Sequence, residues 1–314
     1  MVVYDLKELK EIEKDLTSPK TGIVCSGPLT KSLVFDIKFT IDRQSIVAVT
    51  VKEILFITFE NNIVNSSRGE FGNFSPTMAL CLLALRGEHG GQRKDLMLTG
   101  MGNGSVYFWD KDHCVKAVVG HTGSVSSICA RSDCESFISG DKSGKSIIWD
   151  AHFKKERQVV VPKTNCPSNM IVSLAHNSKR QLLIGTKSSN IYLLRHTDPI
   201  DKAKIVMSGH CDGTLWATAI HKTEPFLYTG GDDQRLLKWD YKTNRKVVAE
   251  MRTPYKIRSI DYNNYNKMLV VGFVNGVIQC YQSDNLAKVE KLVYTKIKNP
   301  DKEVLNLVKF DHYG

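Results

Sequence analysis

Gly209 to Asp240 reads GHCDGTLWATAIHKTEPFLYTGGDDQRLLKWD. A Gly-His pair opens the stretch and a Trp-Asp pair closes it. Leu215, Ala217 and Ala219 fall on alternate positions, so Thr214 to His221 is expected to form a strand with one apolar face. Phe226 to Thr229 and Arg235 to Trp239 follow as two further strands, separated by polar turns. Three short strands in sequence, joined by tight turns, make an antiparallel meander.

Gly-His before the first strand and Trp-Asp at the end of the third resemble one blade of a WD-repeat propeller. In such a blade the residues at His210, Thr229, Asp233 and Trp239 are expected to form a hydrogen-bond chain. A Trp is buried for its size, yet its indole N–H needs an acceptor. A His joins two groups, because one ring nitrogen donates while the other accepts. The blade explains all four residues, so a catalytic reading of the His, Asp and Thr gains nothing from them.

The unit recurs. Residues equivalent to Trp239 are read at Tyr4, Phe59, Trp109, Trp149, Leu194 and Tyr281, with successive spacings of 55, 50, 40, 45, 45 and 42 residues through Trp239. The usual blade period is about 40–45. SGDKSGKSIIWD (Ser139 to Asp150) and IGTKSSNIYLLR (Ile184 to Arg195) align without gaps. Two partial tetrads are expected. His121, Ser139 and Trp149 form one, with Ser143 where Asp is usual; Thr99 and Trp109 form the other, with Asn103 at the acid position. The fold class is therefore all-β: a WD40-repeat β-propeller of about seven blades, with residues 1–314 as a single domain. Six repeats are whole, and half-repeats at the two ends, Val2 to Asp5 and Glu303 to Phe310, are expected to close a seventh. Starting and stopping inside a blade marks the chain as a segment of a longer protein.

Other segments carry their own expectations. Leu33, Phe35, Ile37 and Phe39 alternate as a half-buried strand. Residues after Tyr4, through Leu16, fit an outer strand, and Thr17 to Thr30 a loop. Glu60 to Pro76 reads as a long connection whose Phe71 and Phe74, with Arg68, are candidate partner contacts. Gly87 to Lys94 reads as a turn insertion. Gly100, Gly102 and Gly104 precede a strand rather than a helix, so they serve a turn and not a phosphate. Lys142 and Lys145, flanking a blade turn, are a second pair of candidate contacts.

Composition sets the outer limits. With 42% hydrophobic residues the chain can bury a sizeable core. No apolar run is long enough to span a bilayer, and no signal-peptide pattern opens the chain. The eight cysteines form no CxxC pair and no zinc-ligand spacing, which fits reduced thiols in the cytoplasm and calls for no metal or other cofactor. Lys and Arg outnumber Asp and Glu by 43 to 33, a net charge of +10, which attracts acidic partners. Nucleic acid is a poorer fit, since no platform of interleaved aromatic and basic residues appears. No nucleophile–base pair or nucleotide motif stands out, so the chain reads as no enzyme.

The stretches VFDIKFTIDRQSIVAVTVKEILFITFE (Val34 to Glu60), MALCLLAL (Met78 to Leu85), LTGMGNGSVYFWD (Leu98 to Asp110) and LLIGTKSSNIYLL (Leu182 to Leu194) carry a narrower likeness. With the Gly209 to Asp240 stretch, and in that order, they resemble the first propeller of the echinoderm microtubule-associated protein-like (EML) family. The resemblance implies tandem propellers in the full protein and association with tubulin or microtubules in the cytoskeleton. The family's hydrophobic motif, coiled coil and second propeller are not in this sequence. A generic WD-repeat scaffold, such as a ubiquitin-ligase substrate receptor or a ciliary assembly subunit, is the competing reading.

Overall fold

The computed structural model of the protein describes residues 2–4, 23–26, 30–60, 63–89, 91–162, 166–195, 198–199, 203–289 and 307–310. Among them there are strands and turns but no helix. The chain divides into two compact units. One comprises residues 1–162, 169–186 and 193–204; the other comprises 163–168, 187–192 and 205–314.

A two-stranded sheet pairs β1 (Val2–Tyr4) with β2 (Ile23–Ser26). Six four-stranded antiparallel sheets follow, each with its strands in sequence order. The first holds β3 (Val34–Phe39), β4 (Ser45–Thr50), β5 (Ile54–Glu60) and β6 (Ile63–Arg68). The second holds β7 (Ala79–His89), β8 (Gln92–Met101), β9 (Ser105–Asp110) and β10 (His113–Val119). The third holds β11 (Val125–Ala130), β12 (Phe137–Asp141), β13 (Lys145–Trp149) and β14 (Lys155–Val160). The fourth holds β15 (Ile171–His176), β16 (Gln181–Thr186), β17 (Asn190–Arg195) and β18 (Lys204–Ser208). The fifth holds β19 (Leu215–Ile220), β20 (Phe226–Gly231), β21 (Arg235–Asp240) and β22 (Lys246–Arg252). The sixth holds β23 (Ile257–Asn263), β24 (Met268–Phe273), β25 (Ile278–Gln282) and β26 (Lys288–Val289). These are the blades of a WD40-type β-propeller fold.

The division of labour within a blade follows from hydropathy. Where middle strands are buried on both faces they are continuous apolar runs, as with Val47, Ala48 and Val49 in β4 or Val106, Tyr107 and Phe108 in β9, whereas β16 and β17 of the fourth sheet alternate. Outer strands alternate, as in β22, where every second residue is exposed. In the first unit, Leu98, Phe108, Phe137, Ile147 and Trp149 pack into one core. In the second, Tyr228, Leu236, Ile257, Val271 and Tyr281 do the same.

Two devices repeat. All six first strands carry a bulge after their first paired residue, at Val34, Ala79, Val125, Ile171, Leu215 and Ile257. Such a bulge raises the local twist and re-aims the skipped side chain. Five residues before the Trp position, the turn residue has positive φ: Gly104 at 85°, Gly144 at 86°, Ser189 at 58°, Gln234 at 59° and Gly276 at 78°. The left-handed residue turns its carbonyl outward. Gly104, Gly144, Ser189 and Gln234 each accept there the N–H of a residue just past the fourth strand, at 2.8–3.2 Å.

Several expectations change. Register places Ile57, not Phe59, at the Trp position of the first sheet: Ile46 pairs with Ile57, as Phe137 pairs with Trp149. β5 runs on past that position to Glu60, so the end of the apolar run does not mark it. The supposed connection from Glu60 to Pro76 contains the fourth strand, β6, at Ile63–Arg68. The insertion at Gly87 to Lys94 is not a turn but an extension of the hairpin: β7 and β8 stay paired through Glu88–Arg93 and His89–Gln92. Ile23–Ser26 is a strand where a loop was expected, and the segment 5–22 lies outside the described residues. The face of β3 carrying Phe35, Ile37 and Phe39 is exposed rather than half-buried. Its other side faces β7, where Asp36 Oδ2 accepts the Leu82 N–H at 2.9 Å.

At the ends, β1 pairs with β2, and Leu307 to Phe310 forms no strand; residues 303–306 lie outside the described set. A seventh sheet drawn from both ends is therefore not formed among the described residues. Phe310 nevertheless donates its N–H to Asp261 Oδ2 at 2.9 Å beside β23, the kind of link that Asp36 makes to β7.

Candidate functional site

The tetrad of the fifth sheet forms as its residue types require. Trp239 Nε1–H donates to Thr229 Oγ1 at 2.7 Å, and the Thr229 hydroxyl donates to His210 Nε2 at 2.8 Å. His210 Nδ1–H then donates to Asp233 at 2.9 Å. A carboxylate only accepts, which fixes the imidazole proton on Nδ1. Burial opposes the Asp233 charge, yet hydrogen bonds from His210 and the Cys211 N–H outweigh it and lower the carboxyl pKa.

The third sheet corrects an expectation: its tetrad is complete. Trp149 Nε1–H donates to Ser139 Oγ at 2.8 Å, Ser139 to His121 Nε2 at 2.7 Å, and His121 Nδ1–H to Asp141 at 2.9 Å. The acid comes from the end of β12, two residues before Ser143. Strand residues two apart share a face, so Asp141 points the same way as Ser139. Its Oδ1 also accepts the N–H groups of Ser143 and Lys145 at 2.8 and 3.0 Å. Burial works against the charge, but these bonds and the one from His121 hold the carboxyl down at about 2.

In the second sheet Trp109 Nε1–H donates to Thr99 Oγ1 at 2.9 Å. Here Phe71 stands edge-on to Trp109, with ring centroids 5.1 Å apart, and Phe74 lies 5.7 Å from Tyr107. The loop carrying them is stitched down by Glu70, which exchanges backbone hydrogen bonds with Asp112 and Cys114. Both rings are half-buried packing groups and not free tips. Arg68 is exposed, with Nε 2.7 Å from Glu53. Lys142 is exposed, whereas Lys145 Nζ donates to the Gly120 carbonyl at 3.2 Å. Arg235, the equivalent of Lys145, donates to the Gly209 carbonyl and pairs with Glu250 through two bonds of 2.7 Å. A cation at this position thus ties down the Gly-His turn in both complete blades.

Two surface features were not read from the sequence. Arg86, Arg93 and Lys94 of the extended β7–β8 hairpin, with Lys111 just after β9, surround an open hollow of about 700 Å³, against Asp95 and Asp110. Arg86 pairs with Asp95 at 2.8 Å, Lys94 with Asp110 at 2.5 Å, and Arg93 with Glu135. Mistaking this hairpin for a turn hid the cluster. Second, a cleft of about 560 Å³ opens over Phe56, Met97 and Trp109, rimmed by Thr58, Asn65 and Ser67. The small polar side chains of β6 leave that gap unfilled.

Among the described residues, no group of three or more His, Cys, Asp or Glu is placed to hold a metal ion. No helix among them is long and apolar enough to cross a membrane.

Comparison with known proteins agrees with the repeat pattern. The family described as WD domain, G-beta repeat matches residues 112–150 and 202–240. Human echinoderm microtubule-associated protein-like 4 is 26% identical over 231 residues, covering 69% of this chain and 22% of that protein. The mouse protein of the same name is 28% identical over 228 residues, with the same coverage. The chain thus spans about a fifth of the length of these relatives. Mitotic checkpoint protein bub3 of Dictyostelium discoideum is 27% identical over 90 residues, 29% of this chain and 27% of that protein. Among solved structures, the crystal structure of RRP9 WD40 repeats is similar with a TM-score of 0.48 at 14% identity, covering 83% of this chain and 81% of that one. The chain is an EML-like WD-repeat protein, distant from the relatives that it matches.

Proposed function

We propose that this chain is a non-catalytic binding module that associates with tubulin or microtubules in the cytoplasm. The observation that carries the reading is the likeness to proteins named as microtubule-associated, which extends over 69% of the chain. Charge supports it. The sequence is +10 overall, and the hollow of Arg86, Arg93, Lys94 and Lys111 sets four cations against three carboxylates, Asp95, Asp110 and Glu135. An acidic, extended partner segment such as a tubulin tail complements that surface. Arg68 and Lys142 are the exposed outliers of the same sign. Phe71 and Phe74 leave the contact set, because their rings already pack on Trp109 and Tyr107.

Co-sedimentation with taxol-stabilised microtubules, intact or stripped of their acidic tails by protease, tests the proposal across a salt series. Tail-dependent pelleting that weakens with salt is expected, and reversal of Lys142 and Lys111 to Glu should reduce it. Absence of pelleting at low salt, together with absence of binding to soluble tubulin, would leave a WD-repeat scaffold with other protein partners.

A further inference from the structure

We infer that the cleft over Phe56, Met97 and Trp109 and the basic hollow beside it form one site for a partner segment in which a bulky apolar side chain is flanked by carboxylates. That occupant rests on the reading of the hollow as a surface for acidic segments; the cleft adds an apolar anchor. The two openings are contiguous, since Asp95 and Lys111 line both.

Strand alternation builds the junction. Residues two apart on a strand share a face. On β8 the face that carries Met97 also carries Asp95, and two residues beyond Trp109 of β9 the chain reaches Lys111. Met97 and Trp109 are paired in register. Both chains thus run from an apolar floor residue to a charged residue at the edge of the hollow. The opposite wall comes from the first sheet, where Phe56 pairs with Ser67 and Thr58 with Asn65. Phe56 reaches Trp109, with ring centroids 5.8 Å apart, while the short side chains of Ser67 and Asn65 leave the gap open. Its volume of about 560 Å³ accepts one large aromatic or aliphatic side chain.

Charge divides the surface. Asp42 and Asp112 border the cleft together with Asp95. The Thr40 hydroxyl and the Gln44 N–H donate to Asp42 Oδ1 at 2.5 and 3.0 Å and hold that carboxyl below its ordinary pKa. An acidic side chain is repelled there, and Lys111 at the shared edge disfavours a basic one, so the group that enters is uncharged and apolar. In the hollow Arg86, Lys94 and Arg93 are each paired with a carboxylate, whereas Lys111 makes no ion pair among the described residues. Lys111 has a φ of 54°, so a left-handed turn sets the backbone that presents it. A carboxylate next to the docked apolar group is met by this unpaired ammonium.

Fluorescence anisotropy of labelled synthetic peptides, titrated with the full chain, tests the site. Each peptide places glutamates on both sides of one central residue, which is Phe, Ser or Lys. The Phe peptide should bind about tenfold or more tighter than the Ser peptide, the gain from burying one large apolar side chain. Asn65→Trp, at an exposed position of β6, fills the cleft and should bring the Phe peptide down to the affinity of the Ser peptide. Lys111→Glu should weaken both. No binding of the Phe peptide, equal binding of the Phe and Ser peptides, tightest binding of the Lys peptide, or a Phe preference that survives Asn65→Trp would overturn the inference. Microtubule pelleting is read separately: pelleting without a Phe preference keeps the tubulin reading and removes this site, and a Phe preference without pelleting does the reverse.

Discussion

Ser143 Oγ donates to Asp141 Oδ1 at 2.6 Å, so the residue at the usual acid position supports the acid two places upstream. Sheet three therefore has a working tetrad by a different route from sheet five. Asp141→Asn keeps one acceptor oxygen for the turn donors on Oδ1 but sets an amide NH2 against the His121 Nδ1–H, and should destabilise the protein by about 2 kcal/mol or more. Ser143→Ala removes one of those bonds and should cost under about 1 kcal/mol. Urea unfolding of the two variants measures the difference.

The same carboxylate predicts an acid limit. Its folded pKa is about 2, against an ordinary 3.8, so its stabilisation is complete above pH about 4 and is lost as pH falls through 2. Unfolding free energies across that window should fall in the native protein by on the order of 2 kcal/mol from this group. Asp141→Asn should flatten that part of the curve.

His221 sets a second, higher window. Its Nδ1 accepts the N–H groups of Thr223 and Glu224 at 3.3 and 3.0 Å, so Nε2 carries the proton and donates to the Tyr262 hydroxyl at 2.7 Å. Protonating Nδ1 breaks both backbone bonds. Burial lowers its pKa below 6.5, with Glu224 and Asp284 pulling up and Lys238 and Lys267 pulling down. The stabilisation is complete above pH about 6.5 and declines as pH falls below it. Imidazole titration by NMR should show His221 neutral after exposed histidines have charged, and His221→Asn should remove this pH dependence.

Phe71 separates packing from docking. Phe71→Ala should lower stability by about 1–3 kcal/mol, because the ring faces Trp109. Arg68→Ala, at a side chain 80% exposed, should change stability by no more than about 0.5 kcal/mol. Thermal melts read both. Partner binding well below the melting temperature should be unchanged by Phe71→Ala.

Gly120 tests the approach of the Gly-His turn to the tetrad. A Cβ there would lie 2.7 Å from the Trp149 ring, so Gly120→Ala must displace the indole from Ser139. A loss of about 2 kcal/mol or more is expected. Gly123→Ala meets nothing nearer than 3.7 Å and is the matched control. Tryptophan fluorescence during unfolding distinguishes them.

The repeat and its tetrads were legible because they are local. Trp239 and Thr229 face each other within one hairpin, and His210 enters from the turn just before it, so fixed spacing implies contact. Alternation and turn residues likewise marked most strands. Where reading failed, the end of an apolar run stood in for register: β5 continues to Glu60, while pairing puts the Trp position at Ile57. A polar strand such as β6 has no apolar signal of its own, because its face borders a cleft and solvent rather than a core.

The sequence alone determined the all-β repeat, its tetrad chemistry and its basic charge, since each depends on composition or on spacing within a hairpin. Only the tertiary structure decided that Asp141 takes the acid role expected of Ser143, and that Phe71 packs on Trp109. Those relationships depend on strand register and on which turns share an anchor. Pairing energies between separate segments set both, and no local pattern records them.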